Sequence, residues 1–68
     1  MERYEITVDS TLGPTALAAL EGFEVVETAH GRCRLVGTVV DQAAFYGMLN
    51  RLRDLRLEIV EMHRMDDL

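Results

Sequence analysis

The chain of 68 residues contains no lysine and no tryptophan, and only one cysteine, one proline and one serine. Each absence removes a class of function. Without lysine there is no Schiff-base chemistry and no Walker-type phosphate loop. A lone cysteine, Cys33, forms no internal disulfide, so nothing points to a secreted, cross-linked scaffold. No apolar run approaches the ~18 residues of a membrane span, and the opening Met1-Glu2-Arg3-Tyr4-Glu5 lacks the apolar core of a signal peptide. These features predict a soluble cytoplasmic protein. Positive charge is scarce as well. Seven arginines face twelve acids, for a net charge of −5, and they are scattered among those acids. A nucleic-acid footprint needs a positive surface that is missing here.

What remains is one domain, residues 1–68, with an ordinary apolar fraction of 49%. A domain this short buries only about 60% of the surface of its extended chain. With neither disulfide nor evident metal, association with another copy is a natural source of further burial.

Residues alternate between apolar and polar from Tyr4 to Asp9, which predicts a half-buried strand. Gly13-Pro14 marks a break and a helix start, and a short helix of about two turns follows over Thr15–Leu20, stopped by Gly22. Phe23–Thr28 and Arg32–Val40 read as strands of an antiparallel hairpin turned at Ala29-His30-Gly31. Asp41 is placed to cap a helix over Gln42–Leu55, whose Phe45, Met48, Leu49, Leu52 and Leu55 recur at three and four. Arg56–Met62 alternates again, and 63–68 reads as a flexible acidic tail.

The order β-α-β-β-α-β predicts an α+β, ferredoxin-like sandwich: a four-stranded antiparallel sheet in the order 4-1-3-2, both helices on one face, the first helix short. The core-facing strand residues are then Tyr4, Ile6, Val8, Cys33, Leu35, Val39, Leu57 and Ile59. The opposite face would carry Glu5, Thr7, Arg34, Val36, Thr38, Val40, Glu58, Val60 and Met62, joined by Val26. So much Val and Met on an uncovered face predicts a contact site. Val26, Arg34, Val36, Thr38, Val60 and Met62 are therefore the candidate self-association residues.

The most distinctive stretch is Asp41-Gln42-Ala43-Ala44-Phe45-Tyr46-Gly47, followed by a Leu-rich turn of helix and Arg53-Asp54-Leu55. It resembles a widespread group of short, uncharacterised bacterial proteins with an Asp-Gln-Ala-Ala-Leu-His-Gly…Arg-Asp-Leu helix before a closing strand. The likeness extends to Tyr4-Glu5-Ile6 and to Gly37-Thr38-Val39-Val40. This chain departs from the pattern at Phe45 (usually Leu), Tyr46 (usually His) and Arg56 (commonly Gly). The resemblance implies the fold and carries no activity. Gly47 inside the helix, which costs roughly 1 kcal/mol against Ala, points to a close neighbour crossing there.

No catalytic set emerges. Ser10 lies in a polar loop without a partner base, and His30-x-x-Cys33 offers two metal ligands where a structural zinc site wants four, with only His63 to add a nitrogen. The sequence thus names no catalytic, cofactor or metal residue. Its first reading is a non-enzymatic association module that forms a homodimer and contacts another protein. A small-ligand sensor is the alternative, with Thr11, Leu12 and Gly13 as the ligand loop. A small dimeric enzyme of the same fold, using Tyr46, His30 or His63 as acid or base, stands third.

Overall fold

In the computed structural model, which describes residues 2–65, four strands and two helices alternate as the hydropathy pattern predicts. They are β1 (Glu2–Val8), α1 (Pro14–Ala19), β2 (Phe23–Ala29), β3 (Arg32–Val39), α2 (Gln42–Asp54) and β4 (Ile59–Met65). The fold is α+β. All pairings are antiparallel and the sheet order is β2-β3-β1-β4. The expected row, 4-1-3-2, is this same set of neighbours counted from the opposite edge. Each helix joins two parallel strands that hold a third between them: β1 and β2 flank β3, and β3 and β4 flank β1.

Local chemistry explains the boundaries. Pro14 occupies the first turn of α1, where a missing N–H is harmless, and Leu20 caps the helix after six residues. The β2–β3 turn takes positive φ at both central residues, +55° at His30 and +74° at Gly31, the two-residue geometry whose twist matches the flanking strands. At the start of α2, the Asp41 carboxylate accepts from the Ala44 N–H at 2.8 Å, as the sequence predicts.

The end of α2 differs from expectation. Arg56 takes φ +59°, its N–H donates to the Arg53 carbonyl at 2.9 Å, and the Leu57 N–H donates to the Leu52 carbonyl at 2.9 Å. This paired closure usually carries Gly at the left-handed position. It consumes Arg56 and Leu57, so β4 begins at Ile59 rather than Arg56. The strand then runs on through 63–65, where a tail was expected; residues 66–68 of that tail lie outside the described residues.

One sheet face carries the core. Ile6 and Val8 of β1 and Cys33 and Leu35 of β3 pack with Leu20, at the end of α1, and with Met48 and Leu52 of α2. Tyr4, Leu17, Phe23, Val25, Phe45 and Leu57 surround them. Both helices therefore cover the same face. Gly37 sits on that face between Tyr4 and Phe23 in the register. A Cβ built there would lie 2.4 Å from Phe23 Cγ and 2.6 Å from the Gly22 carbonyl oxygen, so a side chain fits only if the ring and the backbone shift. Gly47 is the reverse case: nothing lies within 4 Å of an added Cβ, which overturns the expected close crossing. Among the described residues, no helix is long and apolar enough to cross a membrane.

Candidate association surface on the sheet

The face away from the helices is built from the alternate residues of the same strands. The register places Glu5 beside Val36 and His63, Thr7 beside Arg34 and Glu61, and Arg3 beside Thr38 and Met65. Charges dominate. Arg34 reaches Glu5 at 3.6 Å and Glu27 at 3.5 Å, tying β3 to both of its neighbours. These pairs are partly exposed, and such pairs contribute about 0–1 kcal/mol each. The Arg34 Nε is buried and has no hydrogen-bond partner among the described residues. On β4, His63 Nε2 lies 2.7 Å from Glu61 Oε1. The nearest ligand atoms of Glu5, Glu61 and His63 all fall within 4.8 Å of one another.

Only part of the set expected on the open face lies there. Arg34, Val36 and Thr38 are on the open face, but Val36 is only 8% exposed, enclosed by polar neighbours instead of offered to solvent. Val26 and Val60 sit at irregularities on opposite edges of the sheet. Val25 pairs with Leu35 and Glu27 with Arg34, which leaves Val26 as the extra residue of a bulge. Ile59 pairs with Val8 and Glu61 with Thr7, which leaves Val60 in the same position on β4. That bulge reverses the alternation, because one extra residue sends every later side chain to the other face. Met62 consequently lies across from Ile6 on the helix-covered side. Val40 falls beyond the end of β3 and Glu58 before the start of β4.

Exposed apolar surface gathers along β4 instead. Ile59, Val60 and Met62 are 37%, 43% and 40% exposed. Among the described residues β4 pairs only with β1, which makes it an edge strand of the sheet.

Described residues line three surface cavities. One, of about 370 Å³, opens over Gly47 between the end of α1 and α2. A second, of about 230 Å³, is lined by the rings of Tyr4, Phe45 and Tyr46 with Glu2, Asp41 and Arg64 at its rim. The Tyr4 and Phe45 ring centroids are 4.6 Å apart. The Tyr4 hydroxyl donates to Glu2 Oε2 at 2.6 Å, and this hydrogen bond holds the phenol above its ordinary pKa of 10.0. The third, of about 300 Å³, lies by the β2–β3 turn, with Arg32, Arg34 and His30 in its wall. The expected ligand loop lines none of these three. Leu12 packs against the core, and Gly13 is the N-cap of α1, its carbonyl accepting from the Leu17 N–H. Nor do the three cavities bring together the candidate acid–base groups: Tyr46 lines the second, His30 the third, and His63 none. Cys33 is buried, with its sulfur 3.4 Å from the Thr28 hydroxyl.

The Glu61-x-His63 pair is the feature that sequence reasoning missed. Its signal, two ligand types two apart and thus on one face of a strand, was present but fell across the boundary of the assumed tail. No curated protein and no solved structure matches the chain. A family model described as a domain of unknown function (DUF8691) matches residues 3–63, from β1 through most of β4, and the chain belongs to that family.

Proposed function

We propose that this protein is an association module with a ferredoxin-like topology, which pairs with a second copy of itself along the edge of β4. The two interleaved β-α-β units support the topology. The carrying observation for the function is the coincidence of an edge strand with exposed Ile59, Val60 and Met62. Unpaired edges are templates for another strand, and natural proteins protect those they do not use.

The β4 sequence is self-complementary. Antiparallel pairing of two copies about Met62 sets each Glu61 opposite His63 of the second copy, and Met62 opposite its own counterpart. Opposite-sign or hydrogen-bonding cross-strand pairs contribute roughly 0.2–1 kcal/mol each. One edge strand is a small contact beside the ~1,200–2,000 Å² that standard interfaces bury, so the association is of the weak, reversible class.

Sedimentation equilibrium tests this. The wild-type protein should show a concentration-dependent monomer–dimer equilibrium. Met62→Lys places two like charges at the centre of the pairing and should weaken it about tenfold or more. Thr38→Glu, on the broad face, should leave it unchanged. A wild-type protein that stays monomeric up to its solubility limit refutes the reading, and so does a Met62→Lys variant that dimerises normally.

The aromatic cavity favours a second reading, a small-ligand sensor, whose pocket would be the one beside Tyr4, Phe45 and Tyr46 rather than the Thr11–Gly13 loop. A saturable thermal shift with an amino acid or nucleotide, lost in Tyr46→Ala, would support it.

A further inference from the structure

We propose that Glu5, Glu61 and His63 form a binding site for a divalent transition metal ion, with zinc the ion their chemistry fits best. The three side chains come from two adjacent, directly paired strands. His63 is the register partner of Glu5, and Glu61 is two residues before His63 on the same face of β4. Their ligand atoms, two carboxylate oxygens and an imidazole nitrogen, all lie within 4.8 Å of each other. Binding an ion at the usual Zn–N and Zn–O distances of ~2.0–2.2 Å draws these atoms closer together than they stand here.

The donor set separates this trio from an ordinary cluster of surface acids. An imidazole with two carboxylates suits zinc, cobalt or nickel, whereas calcium and magnesium select all-oxygen shells with more ligands. Electrostatics also favours a cation. Glu5 is the least exposed of the three, its side chain at 21%, and it sits close to a second carboxylate. The neighbouring Arg34 is divided between Glu5 and Glu27. Three protein ligands leave a tetrahedral ion one position for water or for a group from another molecule.

All three ligands belong to one chain, so binding an ion needs no second copy, although Glu61 and His63 also face the proposed pairing along β4. The test is calorimetric titration of the metal-free full chain with zinc chloride. Parallel titrations with cobalt chloride are followed through the visible absorption of the bound ion. Saturable binding of one ion per chain is expected, weakened about tenfold or more in both His63→Gln and Glu61→Gln. His30→Gln, which alters the other histidine at the hairpin turn, should bind as the wild type does. Thermal melts of each variant, which should match wild type because His63 and Glu61 are exposed, show that a loss of binding is not a loss of fold. One ion per two chains, with the same dependence on His63 and Glu61, also supports the site and assigns the open position to a second copy. No saturable binding overturns the proposal, as does binding that survives His63→Gln or disappears in His30→Gln. Met62→Lys should retain zinc, which distinguishes a failed metal site from failed pairing.

Discussion

Gly37→Ala probes the tightest contact in the sheet. A methyl group there would approach Phe23 Cγ to 2.4 Å and Cδ1 to 2.6 Å, and the Gly22 carbonyl oxygen to 2.6 Å. Carbon atoms at rest sit about 3.5–4.0 Å apart, so the ring must move by more than an ångström. The ring is one half of the obstacle; the other is backbone, held by the Phe23 N–H donating to the Leu20 carbonyl at 3.0 Å. Inserting a methyl group into a packed site costs about 1–3 kcal/mol. Replacing Gly within a strand returns about 0.5–1 kcal/mol. The overpacking wins, and the expected net loss is about 1–2 kcal/mol. For a domain of this size each kcal/mol moves Tm by ~4–8 °C, so Tm should fall by about 4–16 °C, with a lower urea midpoint and an unchanged m-value. A second comparison isolates the cause. In a Phe23→Ala background the same Gly37→Ala change should cost clearly less, with the Gly22 carbonyl contact setting the remainder. An unchanged or raised Tm for Gly37→Ala alone would refute the packing described here.

Two further substitutions address the ends of α2. Asp41→Ala removes the acceptor for the Ala44 N–H and should lower stability by about 1 kcal/mol in urea titration; no loss would mean that water replaces the cap. Arg56→Gly should raise stability by about 0.5–1 kcal/mol in the same assay, because a left-handed conformation costs a side-chain-bearing residue about 1–2 kcal/mol and glycine gives back part of that as chain entropy. A fall in the midpoint would mean that contacts of the Arg56 side chain outweigh the relieved strain.

Elements with a single clean period were legible in the residues. Tyr4–Val8, the His30-Gly31 hairpin and the stripe from Phe45 to Leu55 each announce their structure, since local propensity and burial agree there. The C-terminal third was harder for a specific reason. Leu57 and Ile59 look like two steps of one alternation, yet they belong to different things: Leu57 closes the helix and Ile59 opens the strand. The bulge at Val60 then inverts the phase, which a period-two reading cannot detect. An unbroken alternation therefore puts Met62 on the open face, and it gives no sign that Glu61 and His63 share a face with Glu5. Burial of Val36 was likewise illegible. It arises from neighbours on the two flanking strands, and pattern along one strand carries no information about them. The glycines divide in the same way: Gly37 is enforced by a ring from the preceding strand, while a Cβ added at Gly47 would meet no neighbour within 4 Å.

The position of β1 in the middle of the sheet has a consequence for how the chain is made. Its two partners, β3 and β4, both come later, and β4 is the last element described. During synthesis the β2–β3 hairpin and β1 can already join, but one side of β1 stays bare until residues 59–65 have emerged. Closure of the sheet therefore waits on the most distant contact in the molecule. Such non-local pairing slows folding and leaves sticky intermediates. A nascent chain stalled just after α2 would present the Tyr4–Val8 segment as an open seam, the natural target for a chaperone or for misassembly with a neighbour on the same message.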